Sequence, residues 1–401
     1  MKISFKLFAL LITCSAYGQQ ADNFAFLGNS FDKNWQPSSI KITTDISVSS
    51  NAINTKMFTD VLVRTEFTPE AKQKFEDGQQ QRVNLYAFAK AEAEYKVNKT
   101  WGVYANTFTM NGYAGEKQLT ELLFFGNAPF IDEQIESKSL HFLSYAGSGF
   151  GATYKLNNTD KLQAKLLFGL NALTRYTSLS TGAISLYTAP MGEYIDASVA
   201  QFAVSEQTNG AIKGVGLNVG IDLSYTINKK NSVRIALRDV NLTRMLDYTG
   251  LELDTSLRFT GIGYDFIRDT TTLQQYVDSN YSPILENARK KIKWATLPSR
   301  INLTWSHKLN NKSTLVTSLQ SIDLGKYGIT GTVGFGHAFS DRFKLCSSLG
   351  YGNYSGILWR EAAEYRFEKL NVCASVQGLH AVFVPKTATN YGVFLGVTTH
   401  F

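Results

Sequence analysis

Arg82-Val-Asn-Leu-Tyr-Ala-Phe-Ala-Lys-Ala-Glu-Ala-Glu-Tyr-Lys-Val97 decides how this chain is read. Val83, Leu85, Ala87, Ala89, Ala91, Ala93, Tyr95 and Val97 share one parity, while Arg82, Asn84, Tyr86, Lys90, Glu92, Glu94 and Lys96 share the other. Alternate side chains of an extended chain point to opposite faces, so the stretch predicts a strand with one apolar and one charged face. A strand of a soluble protein usually runs ~5–6 residues. A strand that crosses a bilayer needs about 9–11 and commonly continues beyond it. Residues 82–97 fit the second case.

Similar strands are expected on either side of this one. They are Ser38–Ser50, Thr100–Gly112, Ser139–Leu156, Lys161–Tyr176, Gly214–Ile227, Asn231–Leu242, Ser299–Leu309, Lys312–Ser321, Tyr327–Phe339, Arg342–Gly352, Gly356–Glu368, Leu370–Val382 and the closing Tyr391–Phe401. Tight links fall at 98–99, 157–160, 228–230, 310–311, 340–341 and 369, and every second connection is one of them. The connections between, at 51–81, 113–138, 177–213 and 243–298, are long in the first half. An amphipathic piece is expected around Lys117–Phe125 and a helical run over Thr272–Lys293. The segment 257–261 must be loop or hairpin if the strand count is to stay even. Short turns at one end and long loops at the other are the pattern of an all-β transmembrane antiparallel barrel, here of about fourteen strands, with both termini on the short-turn, periplasmic side.

The ends agree with export. Residues 1–18 carry Lys2 and Lys6, a short apolar core from Leu7 to Thr13, and small residues at Ala16 and Gly18, as in a signal peptide cut after Gly18. Lipidation of Cys14 is the lesser alternative, because Thr13 suits an acylation site poorly. Residues 19–37 are too irregular for a strand and are expected to lead into the barrel or plug its periplasmic mouth, leaving 38–401 for the barrel. At the other end, Tyr391, Val393, Leu395, Val397 and Phe401 alternate onto one face and finish on an aromatic residue, a pattern similar to the signal read by barrel assembly machinery.

Composition points the same way. Aromatic residues make up 13% of the chain and glycine is plentiful at 31 residues, against 7 prolines and 5 methionines. Barrel walls place aromatic residues at the lipid headgroups and glycine where they bend. Loss of Lys2 and Lys6 lowers the formal net charge from +7 to +5, and that mild, dispersed excess does not suggest nucleic acid as a partner. No apolar run beyond the signal approaches the ~20 residues of a membrane helix. Cys346 and Cys373 lie on the same side of nearby strands, which makes a disulfide an open option.

Parity sends ten charged side chains to the interior: Lys90, Glu92, Glu94, Lys165, Asp222, Arg234, Arg238, Arg360, Glu364 and Arg366. They either line an aqueous path or pair into a salt-bridge network, and the network reading carries more weight. Glu361 falls on the lipid face, through either a shifted register or a contact with something other than lipid. The glycine-rich 325–336 lacks the helix and Lys-Ser or Lys-Thr of a phosphate loop. The five histidines show no metal-ligand spacing. Ser306 and His307 are neighbours on one strand and so point to opposite faces, which excludes them as a dyad. No catalytic, cofactor or metal residue is assigned.

Asp239-Val-Asn-Leu after one strand, Phe259-Thr-Gly261, and Leu297-Pro-Ser-Arg-Ile-Asn-Leu303 opening another, together with the two ends, resemble an uncharacterised family of Bacteroidota outer-membrane barrels. That family is distantly similar to the fatty-acid transporter barrels and similar in style to barrels of type IX secretion and gliding machinery. The resemblance implies outer-membrane location and a non-enzymatic role as a passive channel for small or hydrophobic molecules, with lipid and the assembly machinery as partners. A structural barrel that docks other envelope proteins is the alternative, motivated by the long loops and Glu361. A hydrolase at the barrel rim comes third.

Overall fold

The computed structural model describes residues 38–54, 81–156, 161–206, 211–259, 289–323, 327–352, 356–380 and 389–401, with positions 73 and 159. The expected signal peptide and lead-in, residues 1–37, lie outside them. Eighteen strands occur among the described residues: β1 (Ser39–Ser50), β2 (Arg82–Lys96), β3 (Trp101–Glu116), β4 (Gln134–Ser137), β5 (Leu140–Lys155), β6 (Leu162–Thr181), β7 (Ile184–Thr188), β8 (Ile195–Glu206), β9 (Gly214–Thr226), β10 (Asn231–Phe259), β11 (Arg289–Leu297), β12 (Arg300–Lys308), β13 (Ser313–Asp323), β14 (Tyr327–Ala338), β15 (Phe343–Gly352), β16 (Gly356–Arg366), β17 (Leu370–Gln377) and β18 (Asn390–His400). Among the described residues an α-helix, α1, spans Lys117–Phe125, where the amphipathic piece is expected.

The strands close on themselves. Antiparallel pairings lead from β1 through β2, β3, β5, β6, β9, β10, β12, β13, β14, β15, β16, β17 and β18 back to β1, a circuit of fourteen. The other four of the eighteen strands stand toward the long-loop end. β11 carries on the line of β12 across Pro298-Ser299 and pairs with the far half of β10. β4, β7 and β8 form an annex that joins the far end of β10. Two expectations change here. β10 does not stop at 242 but runs for 29 residues, so 257–259 are its paired tail and not a crossing of their own. Residues 289–293, expected as the end of a helix, are strand; 272–288 lie outside the described residues. The 177–213 connection, long enough for extra local strands, holds β7 and β8.

Turn chemistry sets the register at the short-turn end. Asn98 Oδ1 accepts the N–H groups of Thr100 and Trp101, each at 2.8 Å. Asn228 does the same for Lys230 and Asn231 at 2.9 Å, and Asn310 for Lys312 and Ser313 at 2.8 Å. Ser340 Oγ takes the N–H groups of Arg342 and Phe343 at 3.2 and 3.0 Å. A short polar side chain that captures the backbone two and three residues on holds the chain in a turn without a helix or sheet partner. Successive turns are then tied around the rim by backbone bonds: Lys155 N–H to Thr100, Thr226 to Lys161, Lys308 to Lys230, Ala338 to Lys312, Arg366 to Arg342 and His400 to Lys369. Ser38 N–H donates to Lys96, and Phe401 N–H donates to Ser38, which completes the ring.

The wall is inside-out. Leu217, Ile235, Leu303, Leu319, Val333, Leu349 and Leu395 are exposed on the outer face, whereas Asn302, Thr304, Gln320, Thr332 and Ser375 are buried within. This is how a barrel divides between hydrocarbon and interior. At the short-turn end the outer face carries an aromatic belt. Trp101 packs on Tyr154 at 4.6 Å, Trp305 stacks on His307, and a chain of ring contacts links Phe335, His337, Phe339, Phe343, Tyr365 and Phe367. Tyr391, Val393, Leu395 and Val397 share the outward face of β18, and Phe401 is exposed beyond it.

Leu303 pairs with Ile235 and Leu319, and all three face outward near mid-wall. Leu303→Arg is expected to cost about 2–4 kcal/mol in bilayer unfolding measurements, the penalty of a cation at mid-membrane. Lys312→Arg on the exposed turn is expected to leave the midpoint unchanged.

Candidate functional site

The interior is layered. Toward the long-loop end β2 points Tyr86 and Phe88 inward, and they join Phe108, Met110, Tyr145, Leu173, Tyr176, Met245, Tyr248, Ala295, Leu297 and Ile322 in a buried apolar cluster. Tyr176 and Tyr248 meet edge to face at 5.7 Å, and Phe108 and Tyr145 at 5.9 Å. Toward the short turns the same strands present charge.

That charge is paired. Lys90 Nζ lies 2.8 Å from Glu92, and Lys165 Nζ 2.6 Å from Glu94, whose carboxylate also accepts Thr153 Oγ1–H at 2.9 Å. Asp222 accepts Arg234 Nε–H at 2.7 Å, a second bond from Arg234 Nη2, and Arg238 Nη2 at 3.1 Å. A second group sits across the barrel. There Glu364 accepts Arg366 Nε at 2.9 Å and Asn371 Nδ2 at 3.1 Å, with Lys344 Nζ 3.8 Å away. Arg360 donates to Gln377 Oε1 at 3.0 Å. All ten residues singled out by parity therefore face the interior, but in two groups: Lys90, Glu92, Glu94, Lys165, Asp222, Arg234 and Arg238 in one, Arg360, Glu364 and Arg366 in the other.

The first group also contains Asp239 and Arg300, which are not among the ten. The ladder between β10 and β9 jumps from Leu237↔Ile221 to Val240↔Val219, so Arg238 and Asp239 together face Gly220. Such a bulge re-aims a side chain that regular alternation would send outward. Asp239 has φ 58°, a left-handed backbone that Asn and Asp tolerate better than most L-residues. Its carboxylate accepts Arg300 Nε at 2.8 Å with a second bond from Arg300 Nη2, and Lys90 Nζ stands 3.9 Å away. Arg300 also lies over the Phe88 ring, 4.6 Å from its centroid, and so joins the charged layer to the apolar one. Parity within Ser299–Leu309 places Arg300 inward; the bulge at Asp239 has no such signal.

Glycines let the polar layer close up. A Cβ on Gly149 would stand 2.2 Å from Asn171 Oδ1 and 2.9 Å from Asn106 Oδ1, so these two amides lie directly across its backbone. Between the layers Phe88, Lys90, Phe108, Tyr145, Asn171, Asp239, Asn241 and Leu297 enclose a cavity of about 20 Å³, room for a water molecule.

The register at Glu361 is unshifted: it pairs with outward-facing Ser347 and Val376, and its Oε1 accepts Trp359 Nε1–H and Ser347 Oγ–H, both at 2.6 Å. Cys346 and Cys373 are free, buried thiols separated by β16, two strand spacings or ~9–10 Å and beyond the ~7 Å reach of a disulfide. Ser306 and His307 do point apart. A different serine, Ser313, meets His337 Nδ1 at 3.0 Å, but that ring is packed between Phe335 and Phe339 and has no carboxylate partner among the described residues. No group of metal-ligating side chains is assembled among the described residues. Beyond the wall, Arg258 donates two bonds to Asp196 at 2.6 Å and holds its carboxyl below the usual range, so this clamp between β10 and β8 persists until pH falls beneath that range.

Asp239→Asn keeps a residue suited to the left-handed backbone and removes only the charge. It leaves Arg300 without its carboxylate and is expected to lower stability by about 3 kcal/mol, as when one member of a buried pair is lost. Arg300→Met combined with Asp239→Asn is expected to recover part of that loss in a double-mutant unfolding cycle.

No family model matches the chain, and no curated protein matches it. Solved structures of similar shape include the Ralstonia pickettii toluene transporter TbuX (10% identity, TM-score 0.42, covering 92% of this chain and 90% of that one). The P. putida toluene transporter TodX (10%, 0.41, 92% and 91%) and a Pseudomonas aeruginosa FadL homologue (10%, 0.41, 90% and 89%) are others.

Proposed function

We propose that this protein is a non-enzymatic barrel of the bacterial outer membrane that passes small apolar molecules passively, with its short turns and both termini in the periplasm. The observation that carries the reading is the apolar layer inside the wall. The lumen of a water-filled pore is polar, and a belt made of Phe88, Phe108, Tyr145, Tyr176 and Tyr248 obstructs hydrated ions. An apolar solute instead gains by leaving water for such a surface. The charged layer below it is largely compensated: Lys90, Lys165, Arg234, Arg238 and Arg300 face Glu92, Glu94, Asp222 and Asp239. It fixes the wall and adds little selectivity of its own.

A docking role is the second reading, and Glu361 favours it. A carboxylate on the lipid face midway along β16 is costly in hydrocarbon, and such positions usually serve a contact. The fold alone does not choose between the two.

The channel reading is tested in cells whose outer leaflet is lipopolysaccharide, which slows apolar probes. Expression of the folded barrel is expected to raise uptake of N-phenylnaphthylamine several-fold, and Phe88→Ala or Tyr145→Ala to alter that rate. Reconstituted in planar bilayers, the same protein is expected to show no steady ohmic current. Uptake equal to that of cells lacking the barrel, or an open ionic pore, would refute it.

A further inference from the structure

Among the described residues, the short-turn end carries a predominantly basic rim. Between residues 96 and 369 the six short turns and their flanks hold Lys99, Lys161, Lys229, Lys230, Lys312, Arg342 and Lys369, all exposed. The acidic residues on those turns are Asp160, Asp341 and Glu368. At the long-loop end the signs mix: Asp132, Glu133, Glu136, Glu193, Glu252 and Asp254 accompany Lys138, Arg258, Arg289, Lys291 and Lys293. The basic residues are also fixed in space. The side-chain captures by Asn98, Asn228, Asn310 and Ser340 hold Lys99, Lys229, Lys230, Lys312 and Arg342 at the tips of their turns, and the backbone bonds from turn to turn make a continuous rim.

Directly behind this rim lies the outward aromatic belt, with Trp101 and Trp305 exposed on it. Aromatic girdles mark the depth of lipid headgroups. The cationic tips therefore stand at the height of the phosphates of one leaflet. From this juxtaposition we propose that the short-turn rim is a collar for anionic glycerophospholipids, which it holds around the barrel in preference to zwitterionic ones. The occupant follows from charge and position together: a soluble acidic partner would explain the lysines but not their alignment with a ring of lipid-facing aromatics. Each basic residue near an anionic surface adds a modest attraction that salt screens, so the collar works as a sum over turns.

Trp101 and Trp305 report on this lipid shell. The purified, folded barrel is reconstituted in bilayers that mix dibrominated phosphatidylglycerol with unlabelled phosphatidylcholine, and in the converse mixture, and tryptophan quenching gives the relative affinity. A preference of several-fold for phosphatidylglycerol is expected, reduced toward one by 0.5 M salt, an ionic strength at which screening is short-ranged, roughly 4–5 Å. The variant carrying Lys229→Gln, Lys230→Gln, Lys312→Gln and Lys369→Gln is expected to lose most of the preference, with folding checked by the gel shift of a heat-modifiable barrel. Substituting Arg258→Gln and Lys138→Gln at the other end removes positive charge away from the rim and is expected to leave the preference intact. A wild-type preference of one overturns the proposal, as does a preference that survives the four substitutions or falls equally with the control pair.

Discussion

Every other feature depends on the pairing of the first strand with the last. In hydrocarbon an unpaired N–H or C=O has no water to turn to, so a sheet that meets lipid must have no free edge. β1 and β18 meet that demand in register from Ser39↔His400 to Ser49↔Asn390, and β1 is paired along its other side with β2. Once the circuit is closed, side-chain alternation has a fixed meaning. One parity meets lipid and is apolar; the other is enclosed and polar or aromatic.

The enclosed face solves a second problem. A wall of this size has more interior than its backbone can fill, and charge placed there needs compensation. Glu94, Asp222, Asp239 and Glu364 each lie within reach of a cation, and three of the four with two. Such pairs are poor sources of net stability, but a missing partner is expensive. The network therefore specifies the arrangement of strands more than it strengthens it. Arg300 shows how the two interior layers are coupled, since one guanidinium both pairs with Asp239 and covers Phe88.

Much of this was legible from alternation and turn chemistry. The long runs in 82–97, 139–156 and 391–401, and the polar links at 98–99, 228–230, 310–311 and 340–341, specify hairpins through local rules, and the strands lie where those rules put them. Parity also sent the ten charged residues inward. It failed where the period of two is broken. Asp239 reads as lipid-facing until the bulge opposite Gly220 is known, and a bulge is a property of two strands together. The helical appearance of Arg289–Lys293 failed for a related reason: local propensity there yields to pairing with the far half of β10. The two groups of interior charge could not be told apart from sequence either, because which strands face each other across a barrel depends on the closed geometry.

The turns differ from the seam in the range over which they act. Asn98, Asn228, Asn310 and Ser340 each set their hairpin with atoms only two or three residues distant. The contact between Ser39 and His400 has no such local instruction and joins opposite extremities of the wall. Hairpins can thus gain their alignment as soon as they emerge, while the cylinder exists only after both extremities are present. A truncated copy lacking β18 would hold well-formed hairpins and still expose a row of unmet amides, which makes full length itself the checkpoint for insertion.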